Sequence, residues 1–222
     1  MTFHRESPVV SHCPLCRTPA PVLAGKDNRR SFFKCTECAL VFVSPRQYLS
    51  LEDERANYRH HQNSPLDNGY RTFLKQLFEP VHAQLSGESR GLDFGCGPGP
   101  TLHLLFEEVG HSMSIYDPAF FPDEAALCRQ YHFITLSEVV EHLHHPADVL
   151  CRLWALLHPG GVLGIMTQFL PVEIPVEKWF YKNDETHVCF FSTEPFEYLA
   201  NQLNAELQIS ADNVALFIKK TS

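Results

Sequence analysis

The chain has 222 residues, of which 44% are hydrophobic and 20% are charged. This length suits one large domain with a small second one and is too short for three domains. The net charge of −8 disfavours an extensive nucleic-acid surface, because phosphate binding requires clustered cations. No apolar run approaches the ~20 residues of a membrane-spanning helix, and the first residues lack the apolar stretch of a signal peptide. We therefore expect a cytoplasmic protein.

Four of the eight cysteines form two CxxC pairs, Cys13 with Cys16 and Cys35 with Cys38. Eighteen residues separate the pairs, a spacing typical of a four-cysteine zinc ribbon. Zinc would supply folding free energy that so short a segment cannot gain from apolar burial alone. We therefore predict a structural zinc ribbon over residues 1–50, with strands in FFKC and ALVFV. Two alternatives are disulfides, disfavoured in a reducing compartment, and a redox CxxC, which needs no second copy.

The charges are unevenly distributed between this segment and the rest of the chain. Residues 1–50 hold seven Lys and Arg against three Asp and Glu, whereas the remainder is strongly acidic. The side chains that would contact a polyanion are Arg17, Lys26, Arg29, Arg30 and Lys34. We favour the alternative of an ordinary solvated surface.

Residues 51–90 are predicted to be a linker followed by a helical lead-in, because apolar residues recur at helical spacing over 70–85. From Gly91 the pattern changes to short apolar strands that alternate with helices. Strands are predicted at 91–94, 111–117, 131–139 and 162–168, with a closing pair at 206–212 and 213–220. Helices are predicted at 101–110, 145–157 and 192–203. This alternation predicts an α/β domain with a mostly parallel sheet over residues 91–222.

The first of these strands runs into a glycine-rich turn, GLDFGCGPGP at 91–100, which leads directly into a helix. Such a turn lets a ligand approach the bare backbone while the helix amino terminus faces it. Its residues that we expect at the ligand are Asp93, Gly95, Cys96, Gly97 and Gly99. Asp117 ends the second strand, where an acid can accept hydrogen bonds from a ribose diol.

The spacing of the glycines bears on the ligand. It is GxGxG rather than the GxGxxG of dinucleotide enzymes, and Asp93 stands two residues ahead of the first glycine. A carboxylate there would repel a pyrophosphate but would hold an ammonium group directly or through water. A nucleoside that carries an amino acid therefore fits better than NAD. The alternative is a plain strand–helix turn with a structural aspartate.

Four segments together resemble the class I S-adenosylmethionine-dependent methyltransferases: DFGCGPG, SIYDP with Asp117, TLSEVVEHLHHP at 135–146, and LLHPGGVLGIMT. They cover about residues 90–168 in the family's order. The zinc ribbon ahead of such a domain, and the segment WFYKNDETHVCFFS, resemble a bacterial subgroup of that family. The resemblance implies a Rossmann-like, doubly wound sheet of seven strands and methyl transfer from S-adenosylmethionine.

The chain departs from the family between Asp117 and Tyr131, where only thirteen residues stand in place of a helix and a third strand. The edge strand is therefore expected to be shortened or missing. Adenine contacts would then fall to Pro118, Phe120 and Phe121.

Further candidates concern the cleft and the methyl acceptor. Tyr70 is expected to close over the cofactor, with hydrophobic packing as the equal alternative. Ser137 and Glu138 follow the fourth strand and are expected beside the cofactor, while Glu141 and His142 either act at the cleft or orient the next helix. His187 is the preferred base or acceptor-orienting group, because imidazole titrates near neutral pH and the resemblance places its segment near the acceptor pocket. The aromatic residues over 169–198 are expected to form either the pocket wall or core.

We therefore predict a methyltransferase that uses S-adenosylmethionine on a small or medium organic acceptor. One alternative is an RNA methyltransferase that binds RNA through the basic ribbon. This alternative predicts that the affinity for RNA falls steeply as the salt concentration rises. The other is a non-catalytic binding module with a methyltransferase scaffold, which the intact set of Asp93, glycines and Asp117 disfavours.

Overall fold

Three short strands form the N-terminal part of the fold in a computed structural model that describes residues 10–58 and 63–221. They are β1 (Val22–Lys26), β2 (Ser31–Lys34) and β3 (Val41–Val43). Two helices follow, α1 (Leu51–Tyr58) and α2 (Asn68–His82). The expectation of no signal peptide concerns residues 1–9, which lie outside the described residues.

The larger, C-terminal part alternates strands and helices as predicted. Its elements are β4 (Arg90–Phe94), α3 (Leu102–Glu107), β5 (Ser112–Tyr116), β6 (Tyr131–Ser137), α4 (Pro146–Ala155), β7 (Leu157–Met166), β8 (Cys189–Phe190), α5 (Thr193–Leu203), β9 (Ala205–Ala211) and β10 (Val214–Lys219). Across the described residues, no helix has the length and apolar character needed to cross a membrane.

A six-stranded sheet with the order β5-β4-β6-β7-β10-β9 forms the centre of this part. The first four strands are parallel, and β10 is antiparallel to both of its neighbours. The predicted α/β class is therefore confirmed. The sheet has six strands rather than the seven that the resemblance implied, because the short stretch between Asp117 and Tyr131 holds only a 3-10 turn, Glu124–Cys128.

Helices cover both faces of this sheet. On one face, α2 and α3 pack against sheet residues such as Phe133 and Met166. On the other face, α4 and α5 pack against residues such as Ile134 and Ile165. Consecutive residues of β6 thus point into the two cores on opposite faces of the sheet. This explains why the strand contains the uninterrupted run FITL.

A second, four-stranded sheet with the order β1-β2-β3-β8 joins the N-terminal part to the rest. Strand β3 pairs with β8 through Val41 with Phe190 and Phe42 with Cys189. Trp179 and Tyr181 pack with these strands in a buried cluster. The N-terminal strands are therefore built onto the larger domain and do not form a sheet by themselves.

Candidate functional site

A cavity of about 740 Å³ opens at the carboxyl ends of β4, β5 and β6. Ligands of open α/β sheets bind at this edge. The sequence-predicted residues that line the cavity are Tyr70, Gly95, Cys96, Gly97, Asp117, Pro118, Phe120, Ser137, Glu138, His142 and His187. Three predicted residues, Asp93, Gly99 and Glu141, are not part of its lining, and neither is Phe121.

The turn after β4 brings bare backbone to the cavity. Gly95 and Gly97 have φ angles of 75° and 65°, in the left-handed region that glycine tolerates best. A Cβ atom at Gly95 would lie 2.6 Å from Val139, whereas one at Gly97 would meet no described atom within 4 Å. The turn therefore leaves open space beside Gly97, as a cradle for a ligand requires.

Asp117 joins this turn to the one after β5. One carboxylate oxygen accepts the N–H of Gly97 at 3.0 Å, and the other accepts those of Ala119 and Phe120 at 2.8 and 3.0 Å. The side chain is buried yet lines the cavity. Each oxygen of a carboxylate has two lone pairs, so the three N–H bonds leave Asp117 one lone pair, on Oδ2, to accept a bond from a ligand.

Asp93 lies beneath the glycine turn and is 3% exposed. It accepts a hydrogen bond from the Thr135 hydroxyl at 3.1 Å. Burial, together with the negative charge of Asp117, raises the pKa of Asp93 to about 7, and the bond from Thr135 opposes this shift. Asp93 does not line the cavity, so it can interact with a ligand only through a bridging water or through the backbone of the glycine turn.

Two carboxyl groups follow β6, the half-buried Glu138 and the buried Glu141, and both contact one hydroxyl group. The Tyr181 hydroxyl lies 3.0 Å from Glu138 Oε2 and within a short hydrogen bond of Glu141 Oε1. Burial raises the pKa of both carboxyl groups, and the charge of Glu138 raises that of Glu141 further. Glu138 also has a φ of 53°, a strained conformation for a residue with a side chain. Strain and raised pKa values coincide at functional sites.

The segment just before β8 supplies two further side chains of the cavity, Asp184 and His187. His187 Nδ1 lies 2.7 Å from the Tyr181 carbonyl oxygen, and His187 Nε2 lies 3.7 Å from Asp184 Oδ2. Burial alone would raise the pKa of Asp184, but the N–H and hydroxyl of Thr186 lower it below its usual value. The ring of His142 stands 4.7 Å from that of His187, centroid to centroid.

Sequence reasoning missed several residues of the cavity. Asp184 stands three residues before His187, in the motif that carried the resemblance, so this spacing was an available signal. The apolar wall gave no local signal, because its members come from separate elements: Phe73, Phe94, Tyr116, Leu127, Val149 and Leu153. Most of the aromatic stretch around Trp179 is core, since Trp179, Tyr181, Phe190 and Phe191 are buried away from the cavity, whereas Phe180 is exposed.

The four N-terminal cysteines converge on one point. Cys13 Sγ and Cys38 Sγ are 3.5 Å apart, Cys16 Sγ and Cys35 Sγ are 3.3 Å apart, and all four sulfur atoms lie within 4.8 Å of one another. Tetrahedral zinc with bonds of about 2.3 Å sets its sulfur ligands about 3.8 Å apart. None of the four forms a disulfide. The cluster therefore fits a small four-cysteine metal site.

The turn between β1 and β2 clamps residues 182–187, which we call the pre-β8 loop. Arg30 donates to four of the loop's carbonyl groups, including that of His187 at 2.8 Å. Lys182 pairs with Asp27 at 2.9 Å, and Arg29 pairs with Glu185. Arg30 is 6% exposed, and its guanidinium donates to backbone carbonyls, so for this residue both the favoured solvated surface and the alternative contact with a polyanion are wrong.

Comparison with known proteins agrees with this geometry. A family model described as a methyltransferase domain matches residues 58–208, which is more than half of the chain. No curated protein matches the chain.

Solved structures share the fold at low sequence identity. The 1,6-didemethyltoxoflavin-N1-methyltransferase of Burkholderia thailandensis, solved with 1,6-didemethyltoxoflavin and S-adenosylhomocysteine, is 16% identical with a TM-score of 0.51. That alignment covers 90% of this chain and 100% of the other. An O-methyltransferase family protein of the same organism is 15% identical with a TM-score of 0.54, over 76% of this chain and 63% of the other. DesVI of Streptomyces venezuelae is 11% identical with a TM-score of 0.52, over 78% of this chain and 100% of the other.

Proposed function

The chain belongs to the family of methyltransferase domains, and we propose that it transfers a methyl group from S-adenosylmethionine to a small organic acceptor. Asp117 is the observation that carries the proposal. It is a buried carboxylate at the cavity wall, fixed by three backbone N–H groups from two turns. Such an acceptor is preorganised for the hydroxyl groups of a ribose.

The open space beside Gly97 and the position of Asp117 fit this cofactor. In the proposed complex, Asp117 accepts a hydrogen bond from a ribose hydroxyl through its remaining lone pair, while Pro118 and Phe120 contact the adenine. Tyr70 closes the same side, and Asp93 lies below the turn, within reach of the ligand's ammonium group through water. The bound cofactor would supply a methyl group already activated by its sulfonium.

The acceptor would occupy the part of the cavity bounded by His142, Asp184 and His187. His187 orients the acceptor or takes its proton, and Asp184 stabilises the protonated ring. The Arg30 clamp holds the pre-β8 loop, which carries Asp184 and His187, in the geometry this role needs. The volume of about 740 Å³ falls within the ~300–1,000 Å³ of small-molecule sites.

Contacts of the basic N-terminal residues favour a small acceptor over RNA. The Arg30 guanidinium donates its hydrogen bonds to backbone carbonyls. Arg29 pairs with Glu185, and Arg17 pairs with Asp148 at 2.5 Å. These cations are therefore partly neutralised, whereas phosphate binding requires several that are available. We also propose that Cys13, Cys16, Cys35 and Cys38 hold a structural zinc ion, because four thiolates leave no open coordination position.

Calorimetry with S-adenosylhomocysteine and with NAD tests the cofactor assignment. We expect saturable binding of one S-adenosylhomocysteine per chain and no comparable binding of NAD. A preference for NAD would contradict the proposal. Failure to bind either ligand by a folded protein would support the alternative of a non-catalytic module.

Methyl-labelled S-adenosylmethionine tests the acceptor class. After incubation with a fractionated cell extract, we expect the label to enter the low-molecular-weight fraction. Label that appears in polymer and is released by ribonuclease would instead favour the RNA alternative.

A further inference from the structure

We propose that Glu141, His142 and His187 bind a divalent cation at the acceptor end of the cavity. Each of these residues can offer one ligand atom, and the three atoms lie within 4.8 Å of one another. Glu141 and His142 belong to the 3-10 turn that follows β6, Val140–His142, and His187 ends the pre-β8 loop. The two segments are tied together by the Val188 N–H, which donates to the Glu141 carbonyl at 2.8 Å.

Both imidazole rings are oriented as they are in metal sites. His187 Nδ1 lies 2.7 Å from the Tyr181 carbonyl oxygen, and His142 Nδ1 lies 3.3 Å from that of Thr186. A carbonyl oxygen can only accept, so Nδ1 carries the proton in each ring. The lone pair of the neutral ring is then at Nε2. Metal-bound histidines commonly donate their other nitrogen to a carbonyl in this way, which fixes both tautomer and ring orientation.

Glu141 has a buried carboxyl oxygen that lacks a hydrogen-bond partner in the described part of the chain. Its side chain is 0% exposed. The Tyr181 hydroxyl satisfies Oε1, but Oε2 is buried with no hydrogen-bond partner among the described residues. Glu138 Oε1 nearby is in the same situation. Tyr181 has one proton for two carboxyl groups, and no described Lys or Arg forms an ion pair with either. Buried carboxylates are normally paired or bind a metal, so a cation bound by Glu141 would account for its unsatisfied oxygen.

The donor set selects the kind of ion. Two imidazole nitrogens and one carboxylate suit zinc, manganese, iron or cobalt better than calcium or magnesium, which prefer oxygen ligands. Three protein ligands leave coordination positions open, as in catalytic sites. Since His142 and His187 both line the cavity, these positions would face it.

The role of the ion rests on the proposed function, whereas its binding does not. With Nε2 bound to the ion, His187 would orient the acceptor and would not act as its base. An ion at this end would coordinate an oxygen of the acceptor. It would lower the pKa of a hydroxyl there, so that the proton leaves to water or to the Asp184 carboxylate before the oxygen takes the methyl group. The acceptor class is therefore a hydroxylated molecule that can chelate through an adjacent oxygen.

Titration of the full-length protein carrying one zinc ion per chain with MnCl2, followed by the spin resonance of free Mn²⁺, tests this site. Mn²⁺ is a poor match for four thiolates, so the ribbon does not compete. We expect one saturable Mn²⁺ site per chain, weakened at least about tenfold in His187→Gln and in Glu141→Gln. The matched control is His145→Gln, an exposed histidine near the same turn, which should bind Mn²⁺ as the wild type does.

S-adenosylhomocysteine affinity, measured on the same variants, separates the possible failures. Retained affinity shows that a variant is folded, so a loss of Mn²⁺ binding then supports the site. No Mn²⁺ binding by the wild type at millimolar concentration, or equal binding by the wild type and His187→Gln, would overturn the proposal. Mn²⁺ binding without any affinity for S-adenosylhomocysteine would keep the ion site and refute the proposed function instead.

Discussion

Replacement of Asp93 by Asn should change how the stability of the protein depends on pH. Asp93 is buried, and its pKa in the folded chain is raised from 3.8 to about 7. Because the folded state holds this proton more tightly, the stabilisation is complete below pH 3.8 and is lost as the pH rises through about 7. Asn keeps the oxygen that accepts the Thr135 hydroxyl but has no proton to lose.

The size of the effect follows from that pKa. At pH 5 the pH is about two units below the pKa of the folded carboxyl while the unfolded carboxyl is ionised, which corresponds to about 3 kcal/mol. At pH 8 both are ionised and the contribution is close to zero. Glu138 and Glu141 also have raised pKa values, so they add to the total slope with the same sign. The informative quantity is therefore the difference between the wild type and Asp93→Asn.

Urea unfolding of both proteins at pH 5 and pH 8, followed by tryptophan fluorescence, measures this difference. The wild type should lose about 3 kcal/mol more than Asp93→Asn between the two pH values. Equal losses would show that Asp93 is ionised throughout, and they would refute the view that burial dominates its environment.

Three other predictions follow from the site and its supports. Asp117→Ala removes the acceptor of three N–H bonds, so it should weaken S-adenosylhomocysteine binding by about 1–3 kcal/mol in calorimetry, and an unchanged affinity would remove Asp117 from the site. A thiol-blocking reagent should release one zinc ion per chain, with weaker zinc retention in Cys35→Ser; a folded N-terminal part that holds no metal would contradict the ribbon. Arg30→Gln should speed hydrogen exchange in the pre-β8 loop and leave cofactor affinity within about twofold, whereas Arg17→Gln should change neither. An unaltered loop would show that the Arg30 clamp is dispensable.

The parts of the fold that local patterns determine were predictable. Parallel strands covered on both faces appear as apolar runs, and β6 with FITL and the second half of β7 with VLGIM contain runs of this kind. The missing edge strand followed from counting the residues between Asp117 and Tyr131. Asp117 itself stands at a strand end, where topology alone places it at the ligand edge.

Features that depend on distant pairs left no such pattern. Strand β8 has two residues and finds its partner β3 almost 150 positions earlier, so nothing near Cys189 indicates the pairing. Arg30 looks like a surface cation until the pre-β8 loop surrounds it. The burial of Glu141 depends on Tyr181, forty residues later. These are contacts between segments, and a single sequence does not reveal them.

A crystal structure of the complex with S-adenosylhomocysteine tests the assigned cofactor site most directly. The expected result has the ribose hydroxyl groups within hydrogen-bond distance of the Asp117 carboxylate, with the sulfur facing His142 and His187. A ligand that is seated elsewhere, or whose sugar makes no contact with Asp117, would contradict it.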